Sequence, residues 1–281
     1  MFVAGAIILA GGRSSRMGSP KAALDWHGST LLRRVIGLAQ RTVDGPVVVV
    51  RAPGQELPAI PASVEVVSDP REGRGPLEGL AAGLAAIGEQ AEVAFVSSTD
   101  VPFLHPAFMR CVIDAFTADV DIVLPEVHGF RQPLSAAYRT SLLPAVRKLI
   151  AADQLKPAFL FEHCRVLRLD DAAIRRDPAV TAGDPALESV RNLNEPSDYE
   201  LARALPAPEI EVRRFGTLAL AGAPRAQRVA AWTLGQLADD VGLVLDQHIV
   251  AALNGEQITR DRELPLVAGD TVGFMVADAG G

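Results

Sequence analysis

Several residue types that define common protein classes are scarce in this 281-residue chain. It has two cysteines, Cys111 and Cys164, which are too far apart in sequence for a Cys-x-x-Cys pair. This favours a reducing compartment and supports neither a zinc site nor a disulfide framework. The five histidines are isolated. Acidic residues outnumber basic ones, 34 against 27, which argues against a nucleic-acid-binding protein, since such a protein needs a basic face.

Long hydrophobic runs are also missing, and no stretch reaches membrane-spanning length. The apolar start, Phe2 to Ala10, has no basic region before it and leads directly into a glycine-rich segment, unlike a signal peptide. We therefore expect a cytoplasmic protein that acts on a small molecule, with neither nucleic acid nor a membrane as a partner.

The glycine-rich segment, from Leu9 to Lys21, is the most informative part of the chain. Its adjacent glycines, Gly11 and Gly12, let the backbone approach a ligand closely, and consecutive N–H groups can then form an anion-binding concavity. The surrounding positive charges are Arg13, Arg16 and Lys21.

The spacing of this segment matches neither of the two familiar phosphate loops. Gly18 is followed by Ser19-Pro20 rather than by the Lys-Ser/Thr of a Walker loop, and adjacent glycines do not fit Gly-x-Gly-x-x-Gly. A solvated turn between a strand and a helix is the alternative interpretation.

Apolar runs alternate with helical spacing along the first two-thirds of the chain. This pattern predicts an α/β fold: a Rossmann-like, mainly parallel sheet with helices on both faces. Gly79 and Gly83, four residues apart, mark where one helix can pack closely against a neighbour. The predicted strands are Ala6–Ala10, 47–50, 64–67, 93–96, 121–124 and 134–138, and the predicted helices lie near 31–39, 77–87 and 196–205.

Between these elements, the polar stretch from Asp170 to Leu187 carries two prolines and is predicted to be an irregular loop. The predicted organisation is a first, α/β domain over residues 1–205, a proline-rich linker at 206–208 and a second domain over 209–281.

Three informative segments follow strands and should meet at one sheet edge, since ligands of such sheets bind beyond the carboxyl ends of the strands. They are the glycine-rich segment, a second basic loop that starts at Asp69, and Asp100. Asp100 is a candidate Mg²⁺ ligand, because Mg²⁺ needs only one or two protein carboxylates. The alternative for Asp100 is a cap for the helix after Pro106, and Asp69 has the same ambiguity.

Together these parts suit nucleotidyl transfer, in which positioning and electrostatics supply most of the acceleration. Lys21 and Arg16 would hold the triphosphate, a metal at Asp100 would neutralise charge, and a phosphate of the acceptor would attack in line.

The order of the motifs resembles that of the molybdenum cofactor guanylyltransferases, over about residues 4 to 205. The motifs are Leu9–Lys21, Gly75-Pro76-Leu77-Glu78-Gly79, Ser98-Thr99-Asp100-Val101-Pro102-Phe103-Leu104, Gln132-Pro133-Leu134 and Asn192-Leu193-Asn194. The resemblance implies that GMP passes from GTP to molybdopterin, giving the guanine dinucleotide and pyrophosphate. It also implies Mg²⁺ at Asp100. The implied nucleotide contacts are Leu9, Ala10, Gly11, Gly12, Lys21, Asp69, Pro76 and Leu77, and the implied pterin-side residues are Gln132, Asn192 and Asn194.

The Leu-Ala-Gly-Gly and Gly-Pro-Leu-x-Gly forms resemble guanylyltransferases more than the related cytidylyltransferases, so we expect GTP rather than CTP. The chain departs from the family after its second strand, where Val50-Arg51-Ala52-Pro53 stands in place of a frequent nucleotide-contacting asparagine. Arg51 is either a phosphate contact or a solvated loop residue. A CTP-dependent enzyme, or one acting on another small phosphorylated acceptor, is the alternative.

From Glu209 the pattern changes to short strands around one helix near 234–241, with a hairpin signal at Asn254-Gly255 and a terminal Gly280-Gly281. This resembles the ubiquitin-like β-grasp sulfur carriers of molybdopterin and thiamine synthesis. The resemblance implies a thiocarboxylate on Gly281 and an adenylating enzyme or molybdopterin synthase as a partner. Ala277-Asp278-Ala279 replaces the usual prolines, so a docking domain is the alternative. A sulfur carrier or adaptor with a vestigial nucleotide site is the rival for the whole chain.

Overall fold

A computed structural model of the chain describes residues 2–11, 20–71, 73–219, 224 and 226–277. It divides into two compact units, Met1–Leu24 with Thr30–Tyr199, and Asp25–Ser29 with Glu200–Gly281. The strands before residue 200 are β1 (Ala4–Leu9), β2 (Asp25–Trp26), β3 (Ser29–Thr30), β4 (Val47–Arg51), β5 (Glu65–Ser68), β6 (Val93–Ser98), β7 (Ile122–Val127), β8 (Phe130–Arg131), β9 (Ser135–Arg139) and β10 (Val166–Asp170). The helices are α1 (Leu31–Gln40), α2 (Pro76–Ile87), α3 (Pro106–Asp114), α4 (Leu143–Ala151), α5 (Pro157–Phe161), α6 (Asp171–Ile174), α7 (Pro178–Gly183) and α8 (Pro196–Arg203).

The first unit is built on a mostly parallel sheet with the strand order β10-β7-β9-β6-β1-β4-β5. β1 pairs in parallel with both β4 and β6, and β9 is antiparallel to both of its neighbours. Both faces of the sheet are buried: Ile7 lies in the core with α2 and α4, and the next residue, Ile8, is also fully buried. The predicted α/β architecture of this unit is therefore confirmed.

Helix α2 packs unusually close to the sheet. A Cβ atom at Gly83 would lie 2.5 Å from Cγ2 of Ile7, and one at Gly79 would lie 3.0 Å from Cδ2 of Leu9. The predicted close approach at these two glycines is confirmed. The same contact brings the first turn of α2 beside the carboxyl end of β1.

The stretch from Asp170 to Leu187 is more regular than predicted. It begins at the end of β10 and contains α6 and α7, whose first turns are capped by Asp170 and Asp177. The prediction of an irregular loop is wrong because Pro178 occupies the first position of α7, where a missing N–H costs no hydrogen bond.

The second unit contains β11 (Glu209–Arg214), β12 (Ala226–Ala230), α9 (Leu234–Asp240), β13 (Ile249–Leu253), β14 (Gln257–Thr259) and β15 (Thr271–Val276). Their order in the sheet is β12-β11-β15-β13-β14. β11 and β15 are parallel, and all other neighbours are antiparallel. The hairpin predicted at Asn254-Gly255 is confirmed. β12 was not predicted, because Ala226–Ala230 has one β-branched residue, Val229, and no β-branched run. None of the helices in the described ranges is long and apolar enough to cross a membrane.

The close packing at Gly83 gives a stability prediction. Alanine normally favours a helix over glycine by about 1 kcal/mol. At Gly83, however, the added methyl would overpack against the stiff, buried Ile7, which costs about 1–3 kcal/mol. We expect Gly83→Ala to lower the free energy of unfolding, measured by urea denaturation.

The control is the exposed position Ala85 on the same helix, where Ala85→Gly shows the helix-propensity effect alone. Combining Gly83→Ala with Ile7→Ala should cost less than the sum of the two single changes, because the shortened side chain makes room for the methyl. Additive losses would show that the two residues are not coupled.

Candidate nucleotide-binding site

The carboxyl ends of four neighbouring parallel strands converge on one cavity in the first unit. The register aligns these ends, with Leu9 of β1 opposite both Val50 of β4 and Ser98 of β6. β1 lies where the chain order along the sheet reverses, which is the usual ligand position in open α/β sheets. The cavity measures about 490 Å³, within the range of small-molecule sites. Its lining includes Leu9, Gly11, Val50, Ala52, Asp69, Gly75, Pro76, Gly79, Asp100, Leu134, Asn192 and Asn194.

Asp100 follows β6 and is held by groups from three parts of the chain. The Ser98 hydroxyl donates to its Oδ1 over 2.5 Å, and Lys21 Nζ donates to its Oδ2 over 2.7 Å. Its backbone carbonyl accepts from the Leu193 N–H at 2.9 Å. The alternative interpretation, in which Asp100 caps the next helix, is wrong because the His105 ring accepts from the Ala107 N–H and caps α3.

Lys21 starts a short 3-10 turn, Lys21–Ala23, and its ammonium lies between oxygen atoms of two cavity residues. Besides Asp100, the amide oxygen of Asn194 accepts from Nζ at 3.3 Å. The Lys21 and Asp100 side chains are 21% and 15% exposed, so the pair is partly shielded but open to a ligand. The oxygen atoms of Asp100 and Asn194 thus form a position that favours a positive charge.

The same oxygen atoms fit a magnesium ion that arrives with a nucleotide. Mg²⁺ prefers oxygen ligands and completes its octahedron with water and phosphate, so one carboxylate and one amide oxygen suffice. Among the residues that the structure describes, no cluster of three or more His, Cys, Asp or Glu side chains could hold a metal. A donor set of one carboxylate and one amide oxygen suits a metal that brings most of its ligands with it.

The N-terminus of α2 forms the opposite wall and favours an anion. Gly75 precedes the helix with φ of 110°, a conformation that favours glycine, and Pro76 occupies the first turn. Arg74 pairs with the buried Glu78 at 3.2 Å and also with Asp153, which fixes the loop before the helix. Because Gly75, Pro76 and Gly79 line the cavity, the positive end of the helix dipole faces it.

Gln55 was missed by the sequence analysis although it joins the loops that follow β1 and β4. Its amide nitrogen donates to the Ala10 carbonyl at 3.0 Å, and its amide oxygen accepts from the Ala52 N–H at 2.9 Å. A glutamine four residues beyond a strand matches no motif, so no sequence signal marked it. Arg51, the departure from the family pattern, donates to the Gln55 carbonyl at 3.1 Å.

The segment carrying Asn192 and Asn194 is held from both sides. Asp198 in α8 accepts from the N–H groups of Asn194 and Glu195 at 3.1 and 3.0 Å. On the other side, the buried Asp184 accepts from the N–H and the hydroxyl of Ser189, and the His105 N–H donates to that hydroxyl. These contacts fix the chain on each side of the two asparagines.

Of the remaining predicted site residues, Leu77, Ala10 and Gln132 do not line the cavity. Leu77, in the first turn of α2, is fully buried in the hydrophobic core of the first unit, and Ala10 is 7% exposed. Gln132 lies before β9 and does not line the cavity, although Leu134 does. The buried Tyr138 hydroxyl supports that turn by donating to the Pro133 carbonyl at 2.8 Å, and burial raises the pKa of Tyr138. Gly12, Arg16 and Gly281 lie outside the described residues.

An open α/β sheet with a lysine, an aspartate and a helix N-terminus at its switch point defines a nucleotide-binding α/β protein. Residues 6–166 match the model of the MobA-like NTP transferase domain. This match covers more than half of the chain, which therefore belongs to the MobA-like nucleotidyltransferase family.

Named relatives agree with this family. A probable molybdenum cofactor guanylyltransferase of Bacillus cytotoxicus is 31% identical over 162 residues, covering 57% of this chain and 80% of that protein. One from Mycobacterium bovis is 38% identical over 168 residues, covering 58% and 81%. The molybdopterin-guanine dinucleotide biosynthesis protein A of Archaeoglobus fulgidus has the same fold, with a TM-score of 0.56 and 22% identity over 71% of this chain and 96% of its own.

The buried Asp184 gives a pH prediction. Burial raises the pKa of Asp184 above its ordinary 3.8, although hydrogen bonds from Ser189 and Glu188 and the nearby His105 oppose this shift. The folded state therefore binds this proton more readily than the unfolded state. The free energy of unfolding should fall as pH rises from 3.8 to the raised pKa and should not change further through this group above it.

Urea denaturation at a series of pH values measures this slope. We expect Asp184→Asn to remove this part of the pH dependence, whereas Asp114→Asn, a change at an exposed carboxyl group on α3, should keep it. Identical slopes for the wild type and Asp184→Asn would contradict the assignment.

Proposed function

We propose that the first unit transfers GMP from GTP to molybdopterin, with or without bound molybdenum. A phosphate oxygen of the acceptor attacks the α-phosphorus of GTP, the bond to the oxygen that bridges to the β-phosphorus breaks, and pyrophosphate leaves. The observation that carries this proposal is the Lys21 to Asp100 pair, 2.7 Å long, at the switch point of a MobA-like sheet. The names of the curated relatives support the choice of acceptor.

Each group at the site has a role in this reaction. Lys21 and the N-terminus of α2 attract the triphosphate, and the absence of a side chain at Gly11 lets the protein backbone approach the phosphates. Asp100 would hold Mg²⁺, with Asn194 beside it; the ion would supply positive charge near the transferred phosphate and the leaving pyrophosphate. Asn192 and Asn194 lie on the side where the acceptor would bind. Little covalent chemistry is required of the protein, since positioning and electrostatics dominate phosphoryl transfer.

The choice of GTP over CTP rests on motif form and on the relatives. We place the base against the part of the cavity wall that consists of small or apolar residues, Leu9, Val50 and Gly79. This wall offers space for a purine but no side-chain hydrogen bond that would select its edge. Selectivity would then come from other backbone groups of the loops that Gln55 holds in place. A CTP-dependent enzyme, or one with another small phosphorylated acceptor, is the competing candidate.

For the second unit we propose a β-grasp domain of the sulfur-carrier type, joined to the transferase domain near residues 206–208. The strand order β12-β11-β15-β13-β14 supports it, since the first and last strands pair in parallel at the centre and the helix follows the second strand. Gly281 would carry a thiocarboxylate made by an adenylating partner. The alternatives are a docking domain without sulfur chemistry, and an adaptor whose nucleotide site is vestigial.

The first test compares GTP and CTP with molybdopterin and Mg²⁺, following pyrophosphate release. We expect turnover with GTP to exceed that with CTP, and Asp100→Asn to reduce turnover with GTP about 100- to 1,000-fold, as removal of one charge-stabilising group does elsewhere. Asp114→Asn is the matched control and should keep full activity. Preferential use of CTP would replace the guanylyl proposal, and an active Asp100→Asn variant would overturn the metal assignment.

The second test uses the intact mass of the full chain after incubation with ATP, a sulfur donor and an adenylating enzyme. We expect one oxygen to be replaced by one sulfur in the wild type and no change in a chain that lacks Gly281. An unchanged wild-type mass would instead support a docking role.

A further inference from the structure

A five-residue segment from the first part of the chain belongs to the second unit. The chain enters that unit at Asp25 and leaves it after Ser29, long before it returns at Glu200. The segment forms most of the hairpin of β2 and β3. Within the unit, Asp25 pairs with Arg203 at 2.8 Å.

The hairpin is fixed by an aromatic cluster, which consists of Trp26, His27 and Trp232. The His27 ring stacks on Trp232 at 4.9 Å with an interplanar angle of 13°, and Trp26 meets Trp232 edge-on at 5.5 Å. Trp26 is fully buried and Trp232 is 6% exposed. Aromatic pairs of this geometry add to the energy of area burial, so the hairpin is firmly anchored.

The turn of the hairpin has a left-handed backbone at the residue that carries the stacked ring. His27 has φ of 50° and Gly28 has φ of 86°, both in the left-handed region. Turns of this kind normally use Asn-Gly, and the chain does so at Asn254-Gly255, where φ is 53° and 78°. At His27 this backbone conformation places the ring on Trp232, so the stack helps to hold the turn.

The hairpin directly follows the turn that presents Lys21. Three residues separate Lys21 from Asp25, and two of them complete the 3-10 turn, in which the Leu24 N–H donates to the Lys21 carbonyl at 3.2 Å. The Leu31 N–H donates to the Leu24 carbonyl at 3.0 Å and closes the base of the hairpin. An anchor at Trp26 and His27 therefore limits where the Lys21 turn can move.

We propose that Trp232 is a positioning residue for Lys21, and that the second unit thereby tunes the affinity of the nucleotide site. This inference rests on the proposed nucleotidyl transfer. It gives the second unit a role in the transfer reaction that does not depend on sulfur chemistry at its tail.

Tryptophan fluorescence reports this coupling directly, because Trp26 and Trp232 are the two tryptophans of the chain. Binding and positioning are reciprocal, so GTP with Mg²⁺ should change the emission, with a midpoint equal to the dissociation constant from calorimetry. Wild-type protein that binds GTP with unchanged emission would count against the inference. Wild-type protein that binds no GTP would instead refute the proposed function.

The variants separate the stack from general stability. We expect Trp232→Ala to raise the KM for GTP roughly 5- to 150-fold, the usual range of such couplings, with an unchanged KM for the acceptor. Trp232→Phe should restore most of the affinity, because it keeps a ring against His27. His27→Asn should keep the turn and lose the stack, and so should show an intermediate effect. Phe274→Leu, in the core of the same unit, is the control for destabilisation and should leave the KM for GTP unchanged.

Hydrogen exchange of the ligand-free protein tests the structural half without any nucleotide. Amides of the Lys21 to Leu31 segment should exchange faster in Trp232→Ala than in Phe274→Leu at equal unfolding free energy. Equal exchange in the two variants, or equal KM values for GTP, would overturn the proposal.

Discussion

Lys21 and Asp100 lie 79 residues apart in sequence and 2.7 Å apart in space. The parallel neighbours β1 and β6 end at the same level, with Leu9 opposite Ser98, so the segments that lead to Lys21 and Asp100 start at one edge of the sheet. The close packing of α2 on the sheet at Gly79 and Gly83 keeps the N-terminus of α2, which forms the opposite wall of the cavity, at the same edge. Sheet register and helix spacing thus set the geometry on which every proposed contact to the nucleotide depends.

The first unit follows from its sequence because its local signals agree with its tertiary structure. The β-branched run at 47–50 forms β4, Thr30 caps α1, and parallel strands bring Asp69 and Asp100 to one edge. Gln55, Asp184 and Ser189 could not be predicted in the same way. Gln55 and Ser189 form hydrogen bonds to backbone groups distant in sequence, and such bonds leave no periodic pattern. Asp184 binds the nearby residues Glu188 and Ser189 in a loop contact that matches no motif.

The second unit shows the opposite balance between local and distant signals. Its Asn254-Gly255 turn is encoded locally, whereas the His27 ring of the His27-Gly28 turn stacks on Trp232, which lies far along the chain. The predicted domain boundary near residue 205 marks where the sequence pattern of strands and helices changes. The contacts in the folded chain additionally place Asp25–Ser29 in the second unit. Two units that look consecutive in sequence are interleaved in the folded chain.

This interleaving has a consequence for folding during synthesis. Trp26 leaves the ribosome 206 residues before Trp232. At about 5–20 residues per second, the hairpin waits roughly 10–40 s for its aromatic partner. The first unit can form its sheet in that time, but the Lys21 turn gains its anchor only when the second unit has been made. The order of translation would then keep the nucleotide site loosely formed until the chain is nearly complete.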